Sequence, residues 1–431
     1  MVKIKLAGQE VKLPDNAIIA RPPAAPGPIT FPEAIKEALD NPLDTEPLEK
    51  WDLRDKKIAV LVDDWGRPTP CGEFLPDVLR RLNQAGAEDR NITVITASGM
   101  HDPMGEEDMR RKVGDEVYKR VRCISHDAGN PEMQAFVKIT DLGTPVWVNR
   151  YVAEADFKMA LGRIFPHVTY GYEGGYKMIV PGVASFETII RDHSLNFSPL
   201  SDYGNLQNNP SRNEADAIGC MVGLDLLVNF VMNWDGQPVK AFAGTPEKVF
   251  PVGVDFGQRH VWGFVTGGRM ADVVIICNED VGDLSLSNNP IYYLGLALSI
   301  TDPEGVVISA MDYIPRKKSL VCGYDLEMIS LSELIRLHEK RDWNLDNRQI
   351  QHVLKSIRGA FYERRIFELR SQKLFIVSDT FPFSRLEKWN ARQFTTIQQA
   401  FDAAIRGKND ATVLVLPDIK HTLPLLRYDY S

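Results

Sequence analysis

From Lys57 onward, short apolar runs of strand length alternate with segments of helical spacing, and this alternation constrains the fold more than any other feature. Ile58–Val62, Ile92–Ala97, Arg122–Ser125, Val146–Asn149 and Lys158–Leu161 read as strands. Helical spacing runs from about Asp77 to Leu82 behind Pro76, and again from about Glu106. An earlier first turn is expected at Thr69-Pro70, because threonine caps well and proline suits the first helical position. Strands that alternate with helices build a largely parallel sheet, since parallel neighbours need a crossover element between them. In such open sheets ligands bind beyond the carboxyl ends of the strands. Asp64, His101, His126 and His167 each follow a predicted strand, so the pattern converges them on one edge.

The alternation resumes near residue 270. Ala271–Cys277, Gly305–Ala310, Lys373–Ser378 and Ala411–Leu416 are strand-like, and helices are predicted between them. Ser330-Leu331-Ser332-Glu333 and Thr395-Thr396-Ile397-Gln398 fit the capping-box pattern. The second opens a helix with Ile397, Ala400, Phe401, Ala404 and Ile405 on one face, ended by Gly407. A chain of 431 residues, 44% hydrophobic, can fill more than one core. The expected fold class is α/β: two α/β domains with mainly parallel sheets and an active-site cleft between them. Residues 1–269 would carry the cofactor and the catalytic histidines, and residues 270–431 would close the cleft. A short hairpin is expected at the start (Lys3–Leu6, Glu10–Leu13). The proline-rich stretch Arg21–Pro32 after it is expected to wrap the surface in extended form.

Composition narrows the function classes. The net charge is −8 with no long run of one sign, which argues against a nucleic-acid or anionic-membrane partner. The five cysteines (Cys71, Cys123, Cys220, Cys277, Cys322) are scattered and never form a CxxC pair, so neither a disulfide framework nor a thiolate metal site is expected. The first residues lack a signal peptide's apolar centre. No apolar run reaches the roughly 18–20 residues of a membrane helix. A soluble cytoplasmic protein is the expectation.

Only eight histidines occur, and four of them fall with one lysine in a close order: His101, His126, His167, Lys177 and His193. His101 follows Ser98-Gly99-Met100, His167 follows Phe165-Pro166, and Lys177 closes Gly171-Tyr172-Glu173-Gly174-Gly175-Tyr176. Neutral imidazole is both a poised base and a common metal ligand, so such a gathering points to acid/base or metal chemistry. The three glycines would let backbone amides approach a ligand, with phosphate a natural one. The segment is nevertheless neither a Walker A loop nor a GxGxxG fingerprint. Pro181-Gly182-Val183-Ala184-Ser185 then leads into a predicted helix that carries His193.

Pro166-His167, Gly171–Lys177, Pro181-Gly182 and His193 together resemble the lactate racemase family, whose enzymes use a nickel-pincer nucleotide. The specific part is the spacing of His167, Lys177 and His193, ten and then sixteen residues apart. Asp64-Trp65-Gly66-Arg67-Pro68, Gly99-Met100-His101, Ser125-His126-Asp127, Asn209-Pro210 and the stretch Gly223–Pro246 extend the resemblance, which weakens after residue 320. It implies that Lys177 carries the cofactor through a thioamide link and that His193 ligates nickel beside the pincer's carbon and two sulfurs. Soft sulfur donors with imidazole in a square plane suit nickel. His101 and His167 would be the paired acid/base residues. Asp64 and Arg67, with Gly174 and Gly175, would lie against the cofactor or the substrate carboxylate. The implied reaction is racemisation or epimerisation of a 2-hydroxy acid by proton-coupled hydride transfer, in which the planar keto acid takes hydride back on either face. One base per enantiomer serves both directions. Cofactor-biosynthesis proteins are the implied partners.

One departure bears on the substrate. The family has a lysine in its C-terminal domain that reaches the active site. Here no lysine lies between Lys248 and Lys317, and Asn288-Asn289-Pro290-Ile291-Tyr292-Tyr293 stands in that neighbourhood. A 2-hydroxy acid larger than lactate, or differently charged, fits better. Two other readings stay open: a metal-dependent hydrolase with zinc on His101, His167 and His193, and a noncatalytic nucleotide- or metabolite-binding relative. Single residues also have bland readings. His126 is expected to be structural, Asp64 is compatible with a turn cap, and Arg67 with a surface ion pair. Tyr170, Tyr172 and Tyr176 are as compatible with packing as with substrate contact, and His260, His338, His352 and His421 with structural roles.

Overall fold

Strands apolar on both faces need cover on both faces, and the first sheet is built from such strands. Ile58–Asp63 and Leu226–Met232 are buried at every position. The computed structural model describes residues 1–431 except 68, 199, 278–289, 312–319, 322–323, 326–372, 382, 409, 428 and 430–431. Within it the first sheet runs, in spatial order, Pro238–Gly244, Leu226–Met232, Phe157–Ile164, Ile58–Asp63, Ile92–Ala97, Arg122–Ser125. All neighbours are parallel except Pro238–Gly244, which lies antiparallel on the edge. One face packs on the helices Phe31–Asp40 and Leu75–Gln84 through Ile35, Leu39, Val78 and Leu82. The other face, with Leu61, Ile95 and Leu227, joins a core that continues into Val274, Val307 and Leu414 of a second sheet.

The second sheet runs Arg392–Gln393, Lys373–Ile376, Thr301–Ala310, Ala271–Cys277, Val413–Leu416, Ile18–Ile19, all parallel. The N-terminal hairpin, Val2–Leu6 with Gln9–Leu13, covers its far face. Leu6, Val11 and Leu13 pack there with Ile275 and Phe401. The first twenty residues therefore belong with the second sheet rather than with the remainder of residues 1–269, a pairing set by tertiary contact and invisible to local pattern. The two mainly parallel sheets give the α/β class expected from the alternation.

Local departures have identifiable causes. The run at 146–149 forms the strand Pro145–Asn149, but it pairs antiparallel with Gln134–Ile139 in a separate hairpin outside the first sheet. The proline-rich stretch ends early. Thr30 accepts from the Glu33 amide and Glu33 reciprocates, so a full capping box opens the helix Phe31–Asp40 with Pro32 in its first turn. Thr69 does not cap a helix; its hydroxyl donates to Asp63, and the short turn Cys71–Glu73 starts without a side-chain cap. In the later helix Ile397–Ala404 the cap is Thr396, which accepts from the Gln399 amide. The capping box predicted at Ser330–Glu333 lies outside the described residues. Among the described residues, no helix is long and apolar enough to cross a membrane.

Candidate active site

The loop after Ile58–Asp63 is anchored by a buried ion pair that sequence reasoning overlooked. Lys112 Nζ lies 2.7 Å from Asp63 Oδ1 and donates to the carbonyls of Thr69 and Arg67. Burial raises the Asp63 carboxyl, against the pull of Lys112. With Asp63 committed inward, Asp64 turns to His101: its Oδ2 lies 2.5 Å from His101 Nδ1. Asp64 is 3% exposed and His101 38% exposed, so a buried carboxylate backs an accessible imidazole. The turn is closed by the Asp64 carbonyl, which accepts from the Arg67 amide, while its side chain serves His101.

Backbone contacts carry this loop to the Lys177 segment. The Gly99 amide donates to Gly182 O at 2.8 Å, and the Gly182 amide donates to Lys177 O. A Cβ on Gly182 would stand 2.2 Å from Met178 O, so only glycine allows that approach. Gly175 is equally constrained, with φ of +62° and a built Cβ 2.2 Å from Arg212 Nη2. Its amide is held by Asn229 Oδ1 at 3.0 Å. Arg212 donates to Gly174 O and stacks on Phe250. Torsion and packing thus account for these glycines, and the Gly175 amide serves the protein rather than a phosphate.

Tyr170 joins the remaining site residues. It is 1% exposed. Its amide and that of Thr169 donate to His167 Nδ1, each at 3.3 Å, and its ring meets the His167 ring edge-on at 5.5 Å. Lys177 Nζ stands 4.4 Å from its ring centroid. Its hydroxyl donates to Asp192 Oδ2 and lies 3.0 Å from His193 Nδ1. His193 projects from the helix Phe186–Ser194, whose Ser185 cap accepts from the Thr188 amide. Asp192 is fully buried, with Oδ2 3.0 Å from His193 Nδ1 and Oδ1 without a hydrogen-bond partner among the described residues.

Glu173 ties the two groups of residues together. Arg67 Nη2 reaches its Oε1 at 2.9 Å and Arg163 Nε its Oε2 at 2.6 Å. Burial works to raise the Glu173 carboxyl, yet Arg67, then Arg163 and Lys177, hold it at about 2. Arg67 is half-buried and its partner Glu173 is largely covered, so the pair is more than an exposed surface ion pair. Three cations, Arg67, Arg163 and Lys177, act on this carboxylate, while Asp64 and Asp63 also act on Arg67. Beside Arg67 a cavity of about 550 Å³ is lined by Trp65, Met104, Asp108, Arg111 and Lys112 among others.

The other histidines stand apart. His126 is wholly buried, donates from Nε2 to Ala184 O at 2.9 Å and accepts at Nδ1 from Asn149. Burial lowers its pKa to about 4, so it is a neutral structural group. His421 pairs with Asp418 and lies against Trp234, and His260 packs on Phe256. His338 and His352 lie outside the described residues, as do Asn288 and Asn289. Among the described residues, no group of three or more His, Cys, Asp or Glu side chains is arranged to hold a metal ion. From the C-terminal half, Asp429 hydrogen-bonds Gln258, which donates to the Tyr172 hydroxyl.

Residues 7–204 match the family model of the lactate racemase N-terminal domain. The chain is 30% identical over 275 residues to a lactate racemase of Thermoanaerobacterium thermosaccharolyticum, covering 62% of this chain and 63% of that one. It is 32% identical over 228 residues to a lactate racemase of Lactiplantibacillus plantarum, covering 52% and 53%. The matched stretches thus span less than two thirds of either relative. In fold it resembles the lactate racemase apoprotein from T. thermosaccharolyticum, with a TM-score of 0.69 at 23% identity over 98% of this chain and 99% of that one. A Thermotoga maritima protein is a more distant neighbour, with a TM-score of 0.54 at 17% identity over 93% and 100%. Residues 7–204 thus match the N-terminal domain of lactate racemases, and the fold resemblance extends over nearly the whole chain.

Proposed function

We propose that this chain is a racemase or epimerase of a 2-hydroxy acid that works with a nickel-pincer nucleotide attached at Lys177 and ligated through His193. The observation that carries the reading is the contact of one buried side chain, Tyr170, with His167, Lys177 and His193 together. The donor set fits the group. One imidazole at His193 suits a metal whose remaining donors come from a nucleotide, whereas zinc held by His101, His167 and His193 loses support because no such trio is assembled. The Oδ1 of buried Asp192, which has no hydrogen-bond partner among the described residues, also fits a cation nearby. When bound, the nucleotide supplies a hydride acceptor and donor.

The chain's own residues would do the rest. His101, oriented by Asp64, takes the hydroxyl proton at Nε2. His167, whose Nδ1 is committed to two backbone amides, exchanges its proton at Nε2. Arg67 keeps N–H groups beyond those used by Glu173 and the Gly66 carbonyl, and its planar fork suits the substrate carboxylate. The absence of lysine from residue 249 to 316 favours a substrate other than lactate. Cofactor-biosynthesis proteins would be its partners. Intact-mass analysis of protein made together with those enzymes tests the reading: an adduct on Lys177 is expected, and its absence would overturn the proposal. A screen of enantiopure 2-hydroxy acids then identifies the substrate. The same missing lysine favours a noncatalytic metabolite binder as the second reading, and an adduct without turnover of any such acid would select it.

A further inference from the structure

The three-way contact among Tyr170, Asp192 and His193 fixes where protons sit. The Tyr170 hydroxyl has one proton and donates it to Asp192 Oδ2. His193 Nδ1 lies 3.0 Å from that same carboxylate oxygen and 3.0 Å from the Tyr170 oxygen. Both are acceptors toward Nδ1, since the only hydroxyl proton is already given away. A bare Nδ1 would set a lone pair against a carboxylate in a fully buried place. The proton of a neutral His193 therefore belongs on Nδ1, and the lone pair on Nε2.

We propose that Asp192 is a positioning residue that fixes neutral His193 as its Nδ1–H tautomer, with Tyr170 holding the carboxylate in place. The hydroxyl bond gives the carboxylate a second point of attachment, so its oxygen stays aligned with the ring. Tyr170 is itself pinned by its amide on His167 and by Lys177 over its ring. A carboxylate or carbonyl behind a ligating histidine sets both the tautomer and the ring orientation at metal sites. Here that arrangement is built before any metal arrives. The inference rests on the proposed function only for what Nε2 meets; the tautomer itself is a property of the protein alone.

The test uses the full chain without cofactor, labelled with ¹⁵N-histidine, at a pH of about 8, above the ordinary histidine range. Long-range ¹H–¹⁵N correlation separates protonated from bare ring nitrogens, and His193→Gln assigns the signals. Wild type is expected to show His193 predominantly as Nδ1–H. Asp192→Asn should lose that form as the major species, because an amide can offer N–H to Nδ1 and so select the other tautomer. Tyr170→Phe should keep it, since the carboxylate remains. A wild-type His193 protonated on Nε2, or an unchanged tautomer in Asp192→Asn, would overturn the proposal. Loss of the Nδ1–H form in Tyr170→Phe with Asp192 intact would also overturn it by moving the role to the hydroxyl. None of these outcomes depends on an adduct at Lys177, so failure here is distinct from failure of the proposed function.

Discussion

Glu173→Gln removes one negative charge from between Arg67 and Arg163 while keeping the shape of the side chain. The wild-type carboxyl is held at about 2 instead of 4.5; burial opposes this, and Arg67, Arg163 and Lys177 outweigh it. At 1.36 kcal/mol per pH unit the difference is worth about 3 kcal/mol of native stability near neutral pH. That agrees with the roughly 3–5 kcal/mol lost when one partner leaves a buried ion pair. Because the folded pKa lies below the unfolded one, the unfolded chain takes up this proton first as pH falls. The contribution is complete above about pH 5 and fades toward pH 2, with about 2 kcal/mol of it gone by pH 3. Urea unfolding of both proteins at stepped pH measures the gap. Wild type should be about 3 kcal/mol more stable near neutrality, and the gap should narrow below about pH 4, to about 1 kcal/mol at pH 3. A gap that stays constant across that range, or one under about 1 kcal/mol at neutral pH, refutes the reasoning. Arg67→Met should then cost less in the Glu173→Gln background than alone, because the partner charge is already gone.

Other expectations follow from the same geometry. His126 has a folded pKa of about 4 against an ordinary 6.5, chiefly through burial. Its contribution is therefore complete above about pH 6.5 and is lost as pH falls toward 4, and His126→Gln should flatten that limb of the stability–pH curve. Gly175→Ala places a methyl against the Arg212 guanidinium at positive φ. It should destabilise by roughly 2–4 kcal/mol in thermal or urea unfolding. Asp64→Asn should leave the fold intact by circular dichroism yet lower kcat by about 10²–10⁴-fold, as loss of the group that orients a catalytic base does elsewhere.

What was legible in the sequence depended on how local its cause was. Ile58–Asp63 and Ile92–Ala97 declare themselves because buried parallel strands are continuous apolar runs. Leu226–Met232 is as apolar, and Asp235-Gly236 after it is a hairpin signal, so the pair it makes with Pro238–Gly244 was equally open to reading. Thr30 and Glu33 formed a readable capping box masked by the prolines around it. By contrast, the pairing of Ile18–Ile19 with Leu414-Val415 leaves no local trace. In the site, the histidine and lysine positions were readable, but their partners were not. Arg67 meets Glu173 across two loops of different strands. Asp192 adjoins His193 in sequence, yet successive helical residues do not face each other, so adjacency alone gave no reason to pair them.

His101 and His167 are held by unlike partners, and this limits what they can do. His101 gives Nδ1 to a carboxylate, so its neutral form carries the proton there and bares Nε2. His167 gives Nδ1 to two amide donors, so its neutral form carries the proton on Nε2. At rest one imidazole is ready to take a proton and the other to give one. For an enzyme interconverting enantiomers, thermodynamics makes kcat/KM equal in the two directions at every pH. The inequality between the histidines must then appear as kcat and KM that differ between enantiomers by one common factor. The enantiomer whose hydroxyl meets His101 should have the higher kcat, and equally the higher KM, while Asp64→Asn narrows the difference. Equal kcat values in both directions would mean that the amide contacts to His167 are given up in the bound state, and with them the distinction drawn from the two tautomers.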